Sequence, residues 1–413
     1  MKRTLISNIK QLLQVEYLPQ PYVAGKEMAK LPTIRDAYVV IEEGRIAEFG
    51  AMQDLNKEQH FDETLDATGR MVMPAFCDSH THMVYAGSRE VEYIDKIRGL
   101  SYDEIAKRGG GILNSAKRVQ EASEEQLYDD AMARLEVMAH YGTGAVEVKS
   151  GYGMTTEAEL KMLRVIRRIR ENSPLTIKST LLGAHGIPLE YRGRQEKFVD
   201  IVINEMIPKA ADEGLADFID VFCDEGFFSV EDTERMLEAG AKRGLRPKIH
   251  ANEMAYSGGI QVAVKYDALS CDHLEYTGEE EIQCLLKSRT MPTVLPGAAF
   301  FLNMVHAPVR KMMDAGLPVA LASDYNPGSS PSPNMQLILS FACVNFRMLP
   351  EEALNAMTLN TAYAMDVVKD LGSIAVGKKA NLIVTVPIPT YEYLPYAYGE
   401  NKVFKVLING KPF

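Results

Sequence analysis

A chain of 413 residues exceeds the usual single domain, and 46% apolar with 24% charged residues is the make-up of an ordinary folded protein, not a disordered or fibrous one. The formal net charge of −11, with no Lys or Arg run to offset it, argues against nucleic acid and anionic membrane as partners. Cys77, Cys223, Cys271, Cys284 and Cys343 lack disulfide or zinc-knuckle spacing, Asn8, Lys10 and Gln11 break up any secretory h-region, and no stretch nears the roughly 18 apolar residues of a membrane span, so a cytoplasmic protein is expected.

Residues 38 to 48, Tyr-Val-Val-Ile-Glu-Glu-Gly-Arg-Ile-Ala-Glu, predict a hairpin turning at Glu43 and Gly44. After residue 70 come eight short β-branched or apolar runs: Met71 to Cys77, Gly144 to Val148, Ile177 to Leu182, Phe218 to Phe222, Arg246 to Ile249, Ala268 to Cys271, Met291 to Leu295, and Pro318 to Ala322. Helical-period segments separate them. One opens on Ser123 with Gln126, presents Leu127, Ala131, Leu135 and Met138 on one face, and stops at Gly142; another opens on Thr156 with Glu159. Strands alternating with helices imply parallel βαβ units, and eight of them imply closure into a (β/α)8 barrel. Two further strands, Ala380 to Val386 and Val403 to Ile408, lie near the C-terminus. The expected fold is α/β: a barrel over residues 71–371 and a small β-sandwich-like domain made of residues 1–70 with 372–413.

Barrel enzymes place their reacting groups at the C-terminal ends of strands. His80-Thr81-His82 follows the first run, His250 the fifth, His273 the sixth and Asp324 the eighth, and with His185 five of the chain's eight histidines sit at strand ends. Imidazoles at i and i+2 on an extended segment share one side, so His80, His82, His250 and Asp324 make a set suited to zinc or another borderline divalent ion.

The segments Gly87-Ser-Arg89-Glu90, Gly109-Gly-Gly-Ile112, Glu147-Val-Lys-Ser-Gly-Tyr152-Gly153, Gly183-Ala-His185, His250-Ala-Asn-Glu253, Asp324-Tyr-Asn326-Pro-Gly328-Ser329-Ser330 and Gly372-Ser-Ile-Ala-Val-Gly-Lys-Lys-Ala-Asn381 add detail along nearly the whole chain. In them the chain resembles the amidohydrolase superfamily of metal-dependent hydrolases, within it the subfamily that opens the ring of 4-imidazolone-5-propanoate in histidine breakdown. The superfamily usually has Asp where Asn381 stands. Binuclear relatives carry a carboxylated Lys on the fourth strand, where this chain has Phe218 to Phe222 followed by Cys223, Asp224 and Glu225, so one Zn(II) or Fe(II) per chain is expected. Lys149, ending the second strand, is expected to be structural or to form a surface ion pair.

The resemblance implies that Glu253 shuttles the water proton to the leaving nitrogen and that His273 hydrogen-bonds the attacking hydroxide or the oxyanion. Arg89 is the candidate for the propanoate tail, Tyr152 and His185 for the ring, and Asn326, Gly328 and Ser329 for further side-chain and backbone donors. Tyr102 and Tyr325 are expected to pack. A small-molecule substrate and a homodimer complete the expectation. A deaminase of a cytosine or guanine-type ring is the rival, since His250-x-x-Glu253 and His273 serve both reactions; a neutral ring, however, gives Arg89 no carboxylate to hold.

Overall fold

The computed structural model describes residues 2–56, 58–100 and 110–413; Tyr102 and Gly109 lie outside the described residues. Both ends of the chain build one continuous mixed sheet. Its strands are β1 (Arg3–Leu13), β2 (Thr33–Glu42), β3 (Arg45–Ala51), β4 (Glu63–Asp66), β5 (Met71–Pro74), β15 (Leu382–Thr385), β16 (Val403–Ile408) and β17 (Lys411–Pro412), in the order β17-β16-β15-β5-β1-β2-β3 with β4 beside β1. The expected hairpin is there: Glu43 and Gly44 join β2 to β3 with φ of 49° and 79°, the left-handed pair a tight two-residue turn requires. Ile6, Leu12, Val39, Ile41, Val72, Leu382 and Leu407 close over a core of this sheet's own.

The second sheet is parallel throughout. Its strands are β6 (Phe76–Thr81), β7 (Thr143–Lys149), β8 (Thr176–Ala184), β9 (Phe218–Cys223), β10 (Arg246–Pro247), β11 (Ile249–Ala251), β12 (Ser270–His273), β13 (Met291–Val294) and β14 (Ala320–Leu321). They run β6-β7-β8-β9-β11-β12-β13-β14, with β10 on β9, and the ring closes where Thr81 bridges Tyr325 and His82 N–H bonds Tyr325 O at 2.9 Å. This is a (β/α)8 barrel.

The run Met71 to Cys77 is not one strand. Met71–Pro74 pairs with β1 and β15 in the small sheet, and the barrel begins only at Phe76, whose N–H bonds Gly142 O at 2.9 Å. An apolar run reports burial on both sides and not which sheet supplies it, so the boundary expected after residue 70 falls instead at Ala75. Asn381 ties the two sheets together, accepting from Asn409 N–H (2.8 Å) and donating to Gly144 O (3.3 Å). An aspartate could accept but not donate, which accounts for the amide here.

The helices follow their caps. Ser123 accepts the Gln126 N–H and opens Glu124–His140, whose Leu127, Ala131, Leu135 and Met138 are buried against the barrel. The next helix, Thr156–Asn172, is capped by Thr155 and not by Thr156. Glu159 does not complete a capping box: its carboxylate is buried and accepts the amides of Gly151 (2.9 Å), Gly153 (2.7 Å) and Met154 (2.9 Å), shaping the loop that carries Tyr152.

Candidate active site

His80 and His82 leave β6 on the same side of the backbone and His250 rises from β11 beside them; all three are buried, and their ligating atoms lie within 4.8 Å of one another. The Nε2 atoms of His80 and His82 are 3.3 Å apart, and Asp324 Oδ1 stands 3.6 Å from each. A tetrahedron of bonds about 2.0–2.2 Å long has edges of about 3.3–3.6 Å, so the spacing suits a zinc-sized ion. Burial, then Lys149 and the neighbouring imidazoles for His80 and the neighbouring imidazoles for His82, pushes both well below the usual imidazole range, which leaves them neutral with lone pairs to offer. His250 Nε2 is buried with no hydrogen-bond partner among the described residues, an expensive arrangement unless it ligates. The residues present therefore fit a divalent ion.

Beneath this quartet lies a layer from which the sequence singled out Lys149 alone. Asp272 accepts from His80 Nδ1 at 2.7 Å, and Asp220 Oδ2 sits 2.9 Å from His250 Nδ1 at ion-pair range, so each ring nitrogen facing away from the cluster meets a carboxylate. Lys149 binds Glu147 (2.7 Å) and Asp220 (2.8 Å) and lies 3.8 Å from Asp272. Lys248 bonds the other oxygen of Glu147. Lys149 is thus structural, but it is fully buried and not the surface ion pair that was the other expectation. Burial pushes Asp220 up, yet His250 and Lys149 outweigh it and hold the carboxyl well below the usual range.

Asp324 stands at the mouth of the barrel in the left-handed region (φ 52°), held by the turn that follows. Asn326 Nδ2 donates to Asp324 O and to Ser329 Oγ, both at 2.6 Å, while Ser329 Oγ donates to Asp324 Oδ2 at 3.1 Å. Asn326 Oδ1 also accepts the backbone amides of Gly328 (2.7 Å) and Ser329 (2.8 Å). The donors expected to face a ligand are engaged inside the turn, where they aim Asp324. Gly328 lies against Arg89: a Cβ there would stand 2.1 Å from Arg89 Nη1 unless the guanidinium shifted. Glu92 takes the Nε edge of Arg89 at 2.7 Å.

Glu253 is buried, its carboxyl raised to about 8 by burial and then by the Asp324 and Asp224 carboxylates. Asp224 fixes its backbone, accepting the N–H of Glu253 (2.7 Å) and of Met254 (2.8 Å). His273 Nδ1 lies 3.5 Å from Glu253 Oε2, and the His273 ring meets that of His80 edge-on, 5.4 Å between centroids. His185 stacks on His82 (4.8 Å, 15°), and Tyr152 flanks both at 5.8 Å from His82 and 5.4 Å from His185. Burial pushes His185 down to about 3, so it is neutral. Tyr325 packs edge-on against Tyr85, as expected. Glu275, absent from the sequence reading, is buried beside His273 at 3.9 Å.

Residues 71–412 match the model of the amidohydrolase family. The chain is 54% identical to an imidazolonepropionase of Christiangramia forsetii, covering 98% of this chain and 99% of that one. It is 42% identical to an imidazolonepropionase of Alkaliphilus oremlandii, covering 98% and 96%. Among solved structures it resembles a guanine deaminase of C. acetobutylicum (TM-score 0.71, 15% identity, all of both chains). It also resembles a 5-methylcytosine deaminase of Klebsiella pneumoniae (TM-score 0.74, 17% identity, 99% and 97%). The deaminases share the fold at low identity, whereas the imidazolonepropionases share the sequence end to end, and the chain belongs to the amidohydrolase family, among its imidazolonepropionases.

Proposed function

We propose that this chain hydrolyses the ring amide of 4-imidazolone-5-propanoate to N-formimidoyl-L-glutamate, the ring opening of histidine degradation. The supporting observation is the convergence of Glu253 and His273 beside a three-histidine, one-aspartate quartet in a chain 54% identical to an imidazolonepropionase. His80, His82, His250 and Asp324 would hold one Zn(II) or Fe(II), which supplies acidified water and a polarised carbonyl. Glu253 accepts the proton of the attacking water and returns it to the ring nitrogen as the C–N bond breaks. His273, a neutral donor, holds the developing oxyanion, and Tyr152 and His185 bond the ring. Asn326, Gly328 and Ser329 act through Asp324. The enzyme is a cytoplasmic homodimer on this reading, working on a small molecule without nucleic acid or membrane. Among the described residues no helix is long and apolar enough to cross a bilayer.

Arg89 separates this reaction from deamination of a neutral ring. With Glu92 on its Nε edge and one Nη corner against Gly328, the guanidinium is held in one plane, the arrangement for gripping a carboxylate through parallel bonds. Charged hydrogen bonds are worth roughly 1.5–3 kcal/mol, so Arg89→Met is expected to lower kcat/KM for imidazolonepropionate by about ten- to a hundredfold with the metal retained. Steady-state kinetics on an imidazolone lacking the propanoate should show the penalty largely gone. Equal losses on both substrates would return Arg89 to a structural role and reopen the neutral-ring reading.

A further inference from the structure

What aims the ring of His273 is not explained by the quartet or by Glu253. His273 and Leu274 are consecutive non-glycine residues in the left-handed region, with φ of 83° and 73°, a strained step at a strand end. The strain is held by cross-bonds to the neighbouring loop: Leu274 N–H to Ala251 O (3.1 Å), Tyr276 N–H to Asn252 O (2.8 Å) and Asn252 Nδ2 to Tyr276 O (2.8 Å). Ser257 Oγ in turn donates to Asn252 Oδ1 at 3.1 Å. The outcome is that Glu275 faces back to His273, two residues before it, with Oε2 3.9 Å from His273 Nδ1. Both atoms are buried, and neither has a hydrogen-bond partner among the described residues.

We propose that Glu275 is a positioning residue, accepting a hydrogen bond from Nδ1–H of His273 and so turning Nε2 toward the substrate. The inference rests on the role given to His273 above. A buried carboxyl with an unpartnered oxygen works against the fold, and an apolar replacement of like shape is often neutral or stabilising, so such a group at a strained strand end marks function more than stability. Glu253 Oε2 is nearer to the same nitrogen, at 3.5 Å, but a proton shuttle has to turn to water and to the leaving nitrogen, and it then leaves Nδ1 without an acceptor. Glu275 is tied to His273 by two peptide bonds and moves with it. Burial, then the Glu253 carboxylate, pushes the Glu275 carboxyl well above the usual range.

The test is a cycle of Glu275→Met, His273→Ala and the double variant of the metal-loaded enzyme, with Glu275→Gln as the conservative control. Glu275→Met should lower kcat about tenfold with KM, metal content and Tm held or Tm raised, and Glu275→Gln should recover most of the loss. In the His273→Ala background the methionine should cost nothing further. No loss in the single variant, or the same loss in both backgrounds, would overturn the assignment; should the methionine variant fail to fold, a Glu275→Gln loss persisting without His273 would do so as well. If His273→Ala alone keeps full turnover, the role of His273 itself falls.

Discussion

Replacing Glu253 with glutamine is expected to leave the metal in place and to remove about 10²-fold or more of kcat. The amide matches the carboxylate in shape and keeps a hydrogen bond to its surroundings, but it cannot take the water proton. Nothing about the loop should move, because its anchor is backbone: the N–H groups of Glu253 and Met254 bond Asp224, whichever side chain residue 253 carries. The removed carboxyl is also one that burial and two nearby carboxylates disfavour as a charge, so the variant should fold at least as well as the parent. Kinetics on a metal-quantified, thermally characterised variant would check this. Near-normal turnover would assign proton transfer elsewhere, with His273 next in line.

Metal removal is expected to have the larger effect, abolishing turnover outright. Among the described residues one His, Cys, Asp and Glu cluster has ligand spacing, and it is fully buried, with carboxylates behind two of its three imidazoles. The fourth strand supplies Asp220, which is engaged by Lys149 and His250, and no lysine. Elemental analysis of protein purified without added metal should therefore approach one ion per chain. Two tightly bound ions, or full turnover after verified stripping, would contradict a mononuclear site.

The residues that converge on the barrel mouth were legible because they stand at strand ends, where polar residues interrupt apolar runs: His80, His82, His250, His273 and Asp324 all announced themselves so. The burial of Glu147 and Lys149 did not show, because Val-Glu-Val-Lys reads as an ordinary strand with one wet face. In a parallel barrel strand both faces are covered, and alternating charges must point inward and find partners; a stricter use of that rule would have pointed to the layer of Glu147, Lys149, Asp220, Lys248 and Asp272. The turn after Asp324 was legible as a donor-rich turn, but whether its amides face a ligand or the Asn326 side chain depends on rotamers that spacing does not encode. The division of Met71 to Cys77 between two sheets was hidden for a similar reason, since apolarity marks the buried positions without naming the neighbour. Glu275 escaped because only the left-handed step at His273 and Leu274 turns it back to the site.

The product formed from imidazolonepropionate separates ring hydrolysis from deamination most directly. Metal-loaded protein incubated with that substrate in oxygen-18 water, with mass detection, should yield N-formimidoylglutamate carrying one solvent oxygen in its new carboxylate and no ammonia. Unchanged substrate, or ammonia released from a cytosine or guanine-type ring in its place, would contradict it.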